Sequence, residues 1–349
     1  MNARTRATRC ALVALCLTPC ALRSAAPQQS PPAPGLFGTD EPLQLTLRAD
    51  FKALAKDRGT DRRTHDGVLT YFNAGADSVS LSVTLRTRGH FRLKSAICDF
   101  PPIKVDFNRQ QATATVFRHT GSLKLATHCV DRPSYEHYLL EEYLIYRVYN
   151  LLTDLSFRVR LAHVTYADTA SKREPLTRYA FFIEDDDRMA RRNHAQVLAQ
   201  KGITQAETDI DQTGLLTVFQ YMIANTDWSV AGLHNIVLVR DSIGTIFPVS
   251  YDFDWSGVIS PPYARPDPIL GITTVRQRLF RGYCRTPEQF AEIFARFNER
   301  KDAIYALYRN QAGMEPKRVE QALRYYDDFF RTINDPGLVR REFLRTCQR

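Results

Sequence analysis

The stretch from Tyr138 to Leu152 constrains this chain more than any other. It is apolar on most faces of a helix, with Ser134 as a candidate N-cap after Pro133. A helix of that kind is buried, not laid on a wet surface. Yet Glu141 and Glu142 sit inside it. A buried carboxylate is costly unless paired, so at least one of the two requires a cationic partner. The chain must therefore build a core around this helix and aim a basic group at it.

What precedes the helix is strand after strand. Leu43–Leu47 and Leu81–Thr87 alternate apolar and polar residues with the period of two that marks a half-buried strand. Ile103–Phe107 and Leu123–Ala126 are shorter runs of the same kind, and Asn73, Gly75 and Asp77 mark a turn among them. After the helix come a strand pair (Arg160–Tyr166 and Tyr179–Ile183), then the acidic run Glu184-Asp-Asp-Asp187. Beyond Asp211 helical patterns dominate. Thr286-Pro-Glu-Gln289 is a capping box with Pro at the first helical position, and a last helix runs from about Val319 to Ile333. The order predicts an α+β chain in two parts: a β-rich lobe over 42–183 with one main helix, and a helix-rich lobe over 184–349.

The first residues read as an export signal. MNARTRATR is basic, Cys10–Leu22 is a short apolar run, and small residues follow at Ser24, Ala25 and Ala26. Cleavage is expected after Ala26, followed by a disordered Pro-rich leader over 27–41. Losing 1–26 removes four arginines (Arg4, Arg6, Arg9, Arg23) and no acid, so the formal charge falls from +9 to +5. The remaining basic residues are dispersed, which argues against a nucleic-acid partner. No second apolar span follows, so no transmembrane segment is expected after cleavage. The expected location is secreted, periplasmic or cell-envelope. Four cysteines remain, and of their three possible pairings Cys98–Cys129 with Cys284–Cys347 is favoured.

The residues that carry chemistry lie between 215 and 257. A helix through Leu215–Ile223 ends at Ala224-Asn225-Thr-Asp227-Trp228. A loop leads to His234-Asn235, the strand Ile236–Val239 follows, and a turn at Asp241–Gly244 brings back Ile246–Val249. That strand ends on Tyr251-Asp-Phe-Asp-Trp255. Helix, Asp, loop, Asn, hairpin, Asp is the order in which kinase-like enzymes present phosphoryl-transfer groups. One Asp accepts or orients the proton of the attacking hydroxyl, and an Asn and a second Asp hold Mg²⁺ on the phosphates. Here Asp227 is the candidate base, Asn235 and Asp252 are candidate metal ligands, and Asp254 is a further one. For the lysine–glutamate pair that grips phosphate, Lys124 with Glu142 fits the spacing. Glu141 is the rival acid, and Lys104, on an earlier strand, is the alternative lysine. Arg88-Gly89 could bring a guanidinium to the phosphates. The chain has no G-x-G-x-x-G or Walker A loop.

These features resemble the spore-coat protein H (CotH) kinase family, a secreted, atypical protein-kinase-like group. The resemblance runs from about Leu43 to Gly257. It rests on Arg88-Gly89, the Tyr138–Leu152 helix, Asn225-Thr-Asp227 with Asn235, and Tyr251-Asp-Phe-Asp254. It implies a two-lobed protein-kinase-like fold and an ATP- and Mg²⁺-dependent (or Mn²⁺-dependent) phosphotransferase. The acceptor would be a protein or an envelope polymer. On that resemblance Asp227 is the catalytic Asp, Asp252 the metal Asp, and Phe182-Ile-Glu184 the hinge beside the adenine. The chain departs from the family where Asp99-Phe-Pro-Pro102 stands in place of a lysine-rich stretch.

Two other readings exist. A kinase-like fold without activity could serve as a binding or scaffold protein of the envelope. Asp252-x-Asp254 also suits a metal-dependent glycosyltransferase, but that architecture alternates strands with helices, which this N-terminal half does not. No G-x-S-x-G or H-E-x-x-H occurs, so hydrolase readings find no support.

Overall fold

Seven strands before and after the central helix close into a barrel. In the computed structural model, which describes residues 35–73, 76–171 and 174–348, these strands are β1 (Leu43–Ala49), β2 (His65–Phe72), β3 (Ser78–Thr87), β4 (Ile103–Phe107), β5 (Ser122–Ala126), β6 (Val159–Asp168) and β7 (Leu176–Ile183). They run in the order β1-β2-β3-β4-β5-β7-β6. Neighbours are antiparallel except for β1 and β6, which pair in parallel from Leu43 opposite Ala162 to Ala49 opposite Asp168 and so close the ring. Alternation explains the filling. Leu45, Leu47 and Ala49 of β1 point inward while Gln44 and Arg48 point out, and Tyr71, Phe107, Phe117 and Phe182 complete the interior. A barrel of this size is plugged by its own side chains.

This closed barrel overturns the two-lobed, protein-kinase-like expectation. A sheet whose first and sixth strands pair is a closed wall, and the described residues form one compact unit. The helical half is also not purely helical. It holds a second, three-stranded sheet in the order β10-β9-β8, made by β8 (Ala195–Leu198), β9 (Ile236–Asp241) and β10 (Ile246–Ser250).

Among the described residues the α-helices are α1 (Phe51–Lys56), α2 (Arg109–Ala112), α3 (Pro133–Leu152), α4 (Asp186–Arg192), α5 (Ile210–Ile223), α6 (Pro287–Arg309), α7 (Pro316–Asn334) and α8 (Pro336–Val339). The apolar helix that carries Glu141 and Glu142 is α3. It starts two residues earlier than expected, with Arg132 and not Ser134 as the N-cap and Pro133 at its first position. Its buried residues, with Phe181 and Ile183 from the outer face of β7, join α5, α6 and α7 in one continuous core. That shared core is the physical reason why the two halves do not separate. Helix α6 begins at the Thr286 capping box as expected.

Both disulfides form as favoured, Cys98–Cys129 and Cys284–Cys347. The first ties the loop after β3 to the end of β5. Arg58 holds the same loop, its Nη1 donating to the carbonyls of Leu93 and Cys98 at 2.8 Å each. The expected signal peptide, 1–26, lies outside the described residues. Leu36, within the Pro-rich stretch, is buried, and its N–H donates to the Val116 carbonyl at 2.8 Å. No described helix is long and apolar enough to cross a membrane.

Candidate functional site

Helix α5 ends at Ala224, whose left-handed backbone (φ 49°) turns the chain toward Asp227. The Asp227 carboxylate is held from two sides. His234 Nε2 lies 2.8 Å from Oδ1, and Asn235 Nδ2 donates to Oδ2 at 3.0 Å and to the Asp227 carbonyl at 2.8 Å. With its Nδ2 committed, Asn235 keeps its carbonyl oxygen free for another partner. The Asn235 backbone carbonyl accepts the Tyr251 N–H at 3.1 Å, which brings the end of β10 alongside. Asp252 follows, again left-handed (φ 61°), and its N–H donates to the Tyr146 hydroxyl on α3 at 2.8 Å. Gly257 then docks against α5, its N–H donating to the Ala224 carbonyl at 3.0 Å. A Cβ at Gly257 would lie 2.2 Å from the Val275 carbonyl, so only glycine permits this approach.

Ala224, Leu233, Asn235 and Asp252 are all non-glycine residues with positive φ. Each such residue costs on the order of 1–3 kcal/mol, and such strain gathers at functional sites.

The basic group that α3 requires is Arg92, in the short turn Phe91–Leu93 after β3. Its guanidinium meets three carboxylates: Asp252 Oδ1 at 3.2 Å, Asp254 Oδ2 at 3.3 Å and Glu142 Oε2 at 3.5 Å. The Tyr263 hydroxyl adds a hydrogen bond to Asp254 at 3.1 Å. Burial pushes Glu142 up to about 8; Arg92 opposes the shift, and Asp254 and Asp252 reinforce it. Burial likewise pushes Asp254 up to about 7 against the pull of Arg92, with Asp252 and Asp227 adding to the rise. On the Arg92 side, burial alone would lower the pKa, but the three acids together outweigh it and hold the guanidinium charged. The asymmetry is physical: each acid receives a share of one cation, whereas the cation receives all three acids. One guanidinium leaves the cluster short of positive charge.

Arg88 stands beside this cluster. Its charge acts on Glu142, Tyr146 and Tyr251, yet its side chain makes no ion pair or hydrogen bond, and its Nε is buried without a partner. Next to Asp227 opens a cleft of about 550 Å³, lined by His234, Trp255, Arg265, Leu270 and Arg281 among others.

The structure thus brings Asp227, Asn235, Asp252, Asp254, Glu142 and Arg88 together. The expected Lys124–Glu142 pair does not form. Lys124 Nζ bonds Asp186 at 2.8 Å and lies 5.1 Å from the Tyr251 ring centroid, and Arg92 takes the glutamate. Lys104 sits opposite Lys124 on β4 without an ion pair. Glu141 belongs elsewhere: Arg318 of α7 holds it through Nε (3.2 Å) and Nη2. Phe182 does not border a nucleotide cleft, since its side chain fills the barrel against Phe117. Glu184 is buried under Arg192 (2.8 Å) and Arg188 (3.7 Å) and accepts the Arg158 N–H. Residue-by-residue reading missed Arg92. Its only signal was a cation enclosed by Phe91 and Leu93, near a helix already known to need one.

Among the described residues no group of three or more His, Cys, Asp and Glu is arranged to hold a metal ion. The chain matches no protein-family model and no curated protein.

Proposed function

We propose that this chain is an exported phosphotransferase that moves phosphate from ATP to a hydroxyl of a protein or envelope polymer, with Mg²⁺ or Mn²⁺. The reading rests on the site and not on the fold, since the same chemistry recurs on unrelated folds. The observation that carries it is one charge arrangement. Acids exceed cations around Arg92, while Arg88, a cation without an ion pair among the described residues, acts on Glu142 of the same cluster. Such a place accepts a divalent cation and a phosphate together.

The donor set fits a hard cation. Asn235 Oδ1 and an Asp252 oxygen would hold the ion, with Asp254 behind them, since Mg²⁺ is commonly held by one or two carboxylates plus substrate phosphates and water. When bound, the metal would neutralise charge on the transferred phosphoryl group. The rest falls to side chains. Arg88 grips a phosphate oxygen. Asp227, oriented by His234 and Asn235, accepts the hydroxyl proton in the cleft it borders. The two disulfides support export, because such bonds persist in oxidising compartments.

The test is ATP-dependent labelling of the full chain and of candidate acceptors. Asp227→Asn and Asp252→Asn should each abolish labelling and leave the melting curve in place; unchanged labelling in either variant refutes the assignment. A second reading, a binding protein without catalysis, draws on one observation: Arg92 already occupies an oxygen of both Asp252 and Asp254. On that reading ATP with Mg²⁺ produces no thermal shift.

A further inference from the structure

A separate recess lies beyond the Lys124–Asp186 pair, where the start of β5 meets α4. It encloses about 370 Å³ and is lined by Arg109, His119, Thr120, Ser122, Arg188 and Arg191, with Asp185 and Asp187 at the α4 side. Three features of its lining point to an anion.

The first is cationic charge held in reserve. Among the described residues Arg109 and Arg191 make no ion pair and no side-chain hydrogen bond. Arg188 has a long contact to Glu184, at 3.7 Å, and lies 5.4 Å from the Phe37 ring centroid. Of the two acids, Asp185 is already occupied, its carboxylate accepting the N–H groups of Asp187 and Arg188 at 3.1 and 3.2 Å. The recess therefore keeps a positive balance.

The second is a pair of hydroxyls without partners. Thr120 Oγ1 and Ser122 Oγ are both buried and make no hydrogen bond. Thr120 is only 5% exposed. A buried hydroxyl left unpaired is costly, and two of them beside three arginines form a donor set for an oxyanion.

The third is the backbone between those hydroxyls. Gly121 lets the Arg109 guanidinium lie directly on the main chain. A Cβ there would come within 3.3 Å of Nη2 and 3.4 Å of Nε. The glycine thus sets the position of the guanidinium beside Thr120 and Ser122.

We infer that this recess binds a phosphate-type oxyanion, free or as a terminal monoester, at Arg109, Arg191, Thr120 and Ser122. Arginine's planar fork matches the oxygens of phosphate, and the hydroxyls donate to those that remain. The site is independent of the phosphotransfer reading. It uses none of Asp227, Asn235, Asp252 or Arg88, and it lies one residue from Asp186 on α4 and two from Lys124 on β5.

The experiment is calorimetric titration of the full chain with inorganic phosphate in a low-ionic-strength chloride buffer, repeated with glycerol phosphate and with O-phosphoserine as monoesters. Phosphate should bind, and Arg109→Ala and Arg191→Ala should each weaken binding by about tenfold or more. Both side chains are exposed, so neither variant should unfold. Gly121→Ala, which displaces the Arg109 guanidinium, should weaken binding as well. Arg331→Ala, at an exposed position of α7 far along the chain from the recess, should leave the affinity unchanged. Tighter binding of a monoester than of free phosphate assigns the larger ligand, and the reverse assigns the free ion. Absence of binding at millimolar phosphate overturns the proposal. So does an affinity indifferent to Arg109 and Arg191, or one lost with Arg331.

Discussion

Replacing Arg92 with methionine tests whether one guanidinium holds the acid cluster together. The side chain is nearly sealed from solvent, and Glu142 is more so, at 3% side-chain exposure. Methionine keeps much of the length and packing but strips Glu142 and Asp254 of their cation. Removing one partner of a buried ion pair costs about 3–5 kcal/mol, because the other charge stays buried and uncompensated. In a domain of this size that corresponds to a melting temperature lower by roughly 5–10 °C. The assay is a urea melt at pH 9, above the value of about 8 to which burial raises Glu142, of wild type, Arg92→Met, Glu142→Gln and the double variant. If the loss is electrostatic, Glu142→Gln in the Arg92→Met background should recover about 1–3 kcal/mol, since the orphaned charge has gone too. Arg92→Lys should fall between, because a lysine delivers its charge to one point and cannot reach three carboxylates in a plane. A loss under about 1 kcal/mol in Arg92→Met, with no recovery in the double variant, would refute the reasoning.

Two other substitutions test the frame around the site. Gly257→Ala places a Cβ 2.2 Å from the Val275 carbonyl and 2.8 Å from Ala224 Cβ, both closer than real Cβ atoms come. It should cost about 1–3 kcal/mol in a urea melt and lower any labelling activity, because the segment from Asp252 to Trp255 leans on that contact. Glu141→Gln should reduce the pH dependence of stability, leaving the share that Glu142 and Asp254 contribute. Burial pushes Glu141 up to about 7 from an ordinary 4.5, against the pull of Arg318. Between those values the folded chain keeps a proton that the unfolded chain has lost, so stability falls as pH rises from about 4.5 to 7, by on the order of 3 kcal/mol. Melts at pH 5 and pH 8 read that slope. A Gln variant with the wild-type slope would show that Glu141 is not its source.

How much of this was legible depended on the range of each signal. Local signals served well. The α3 pattern, the Thr286 capping box and several period-two strands are written in neighbouring residues, and the structure keeps them. The barrel was not legible, because its closure rests on β1 meeting β6 across more than a hundred residues in a parallel register that leaves no local mark. Strand β2 was missed for a different reason. In His65–Phe72 only Leu69 and Tyr71 are buried, so its alternation is half erased. The site was legible as an order of residues. Its pairing was not, since a lysine expected on a strand gave way to an arginine in a loop.

That exchange explains how the acids reach one place without the expected fold. A lysine on β5 is fixed by the barrel wall, and here Asp186 holds it. Arg92 instead rides on a loop whose course is set by the Cys98–Cys129 bridge and by Arg58. From there its guanidinium reaches α3 through Glu142 and the end of β10 through Asp252 and Asp254. The same cation thus joins three elements that are distant in sequence, and their side chains, unlike their backbones, are what the chemistry uses. The left-handed residues on the far side, Leu233 and Asn235, point the same way: backbone strain is spent on aiming Asp227 and Asn235, not on packing. A barrel can therefore present this constellation as long as its loops, and not its strands, carry the charges.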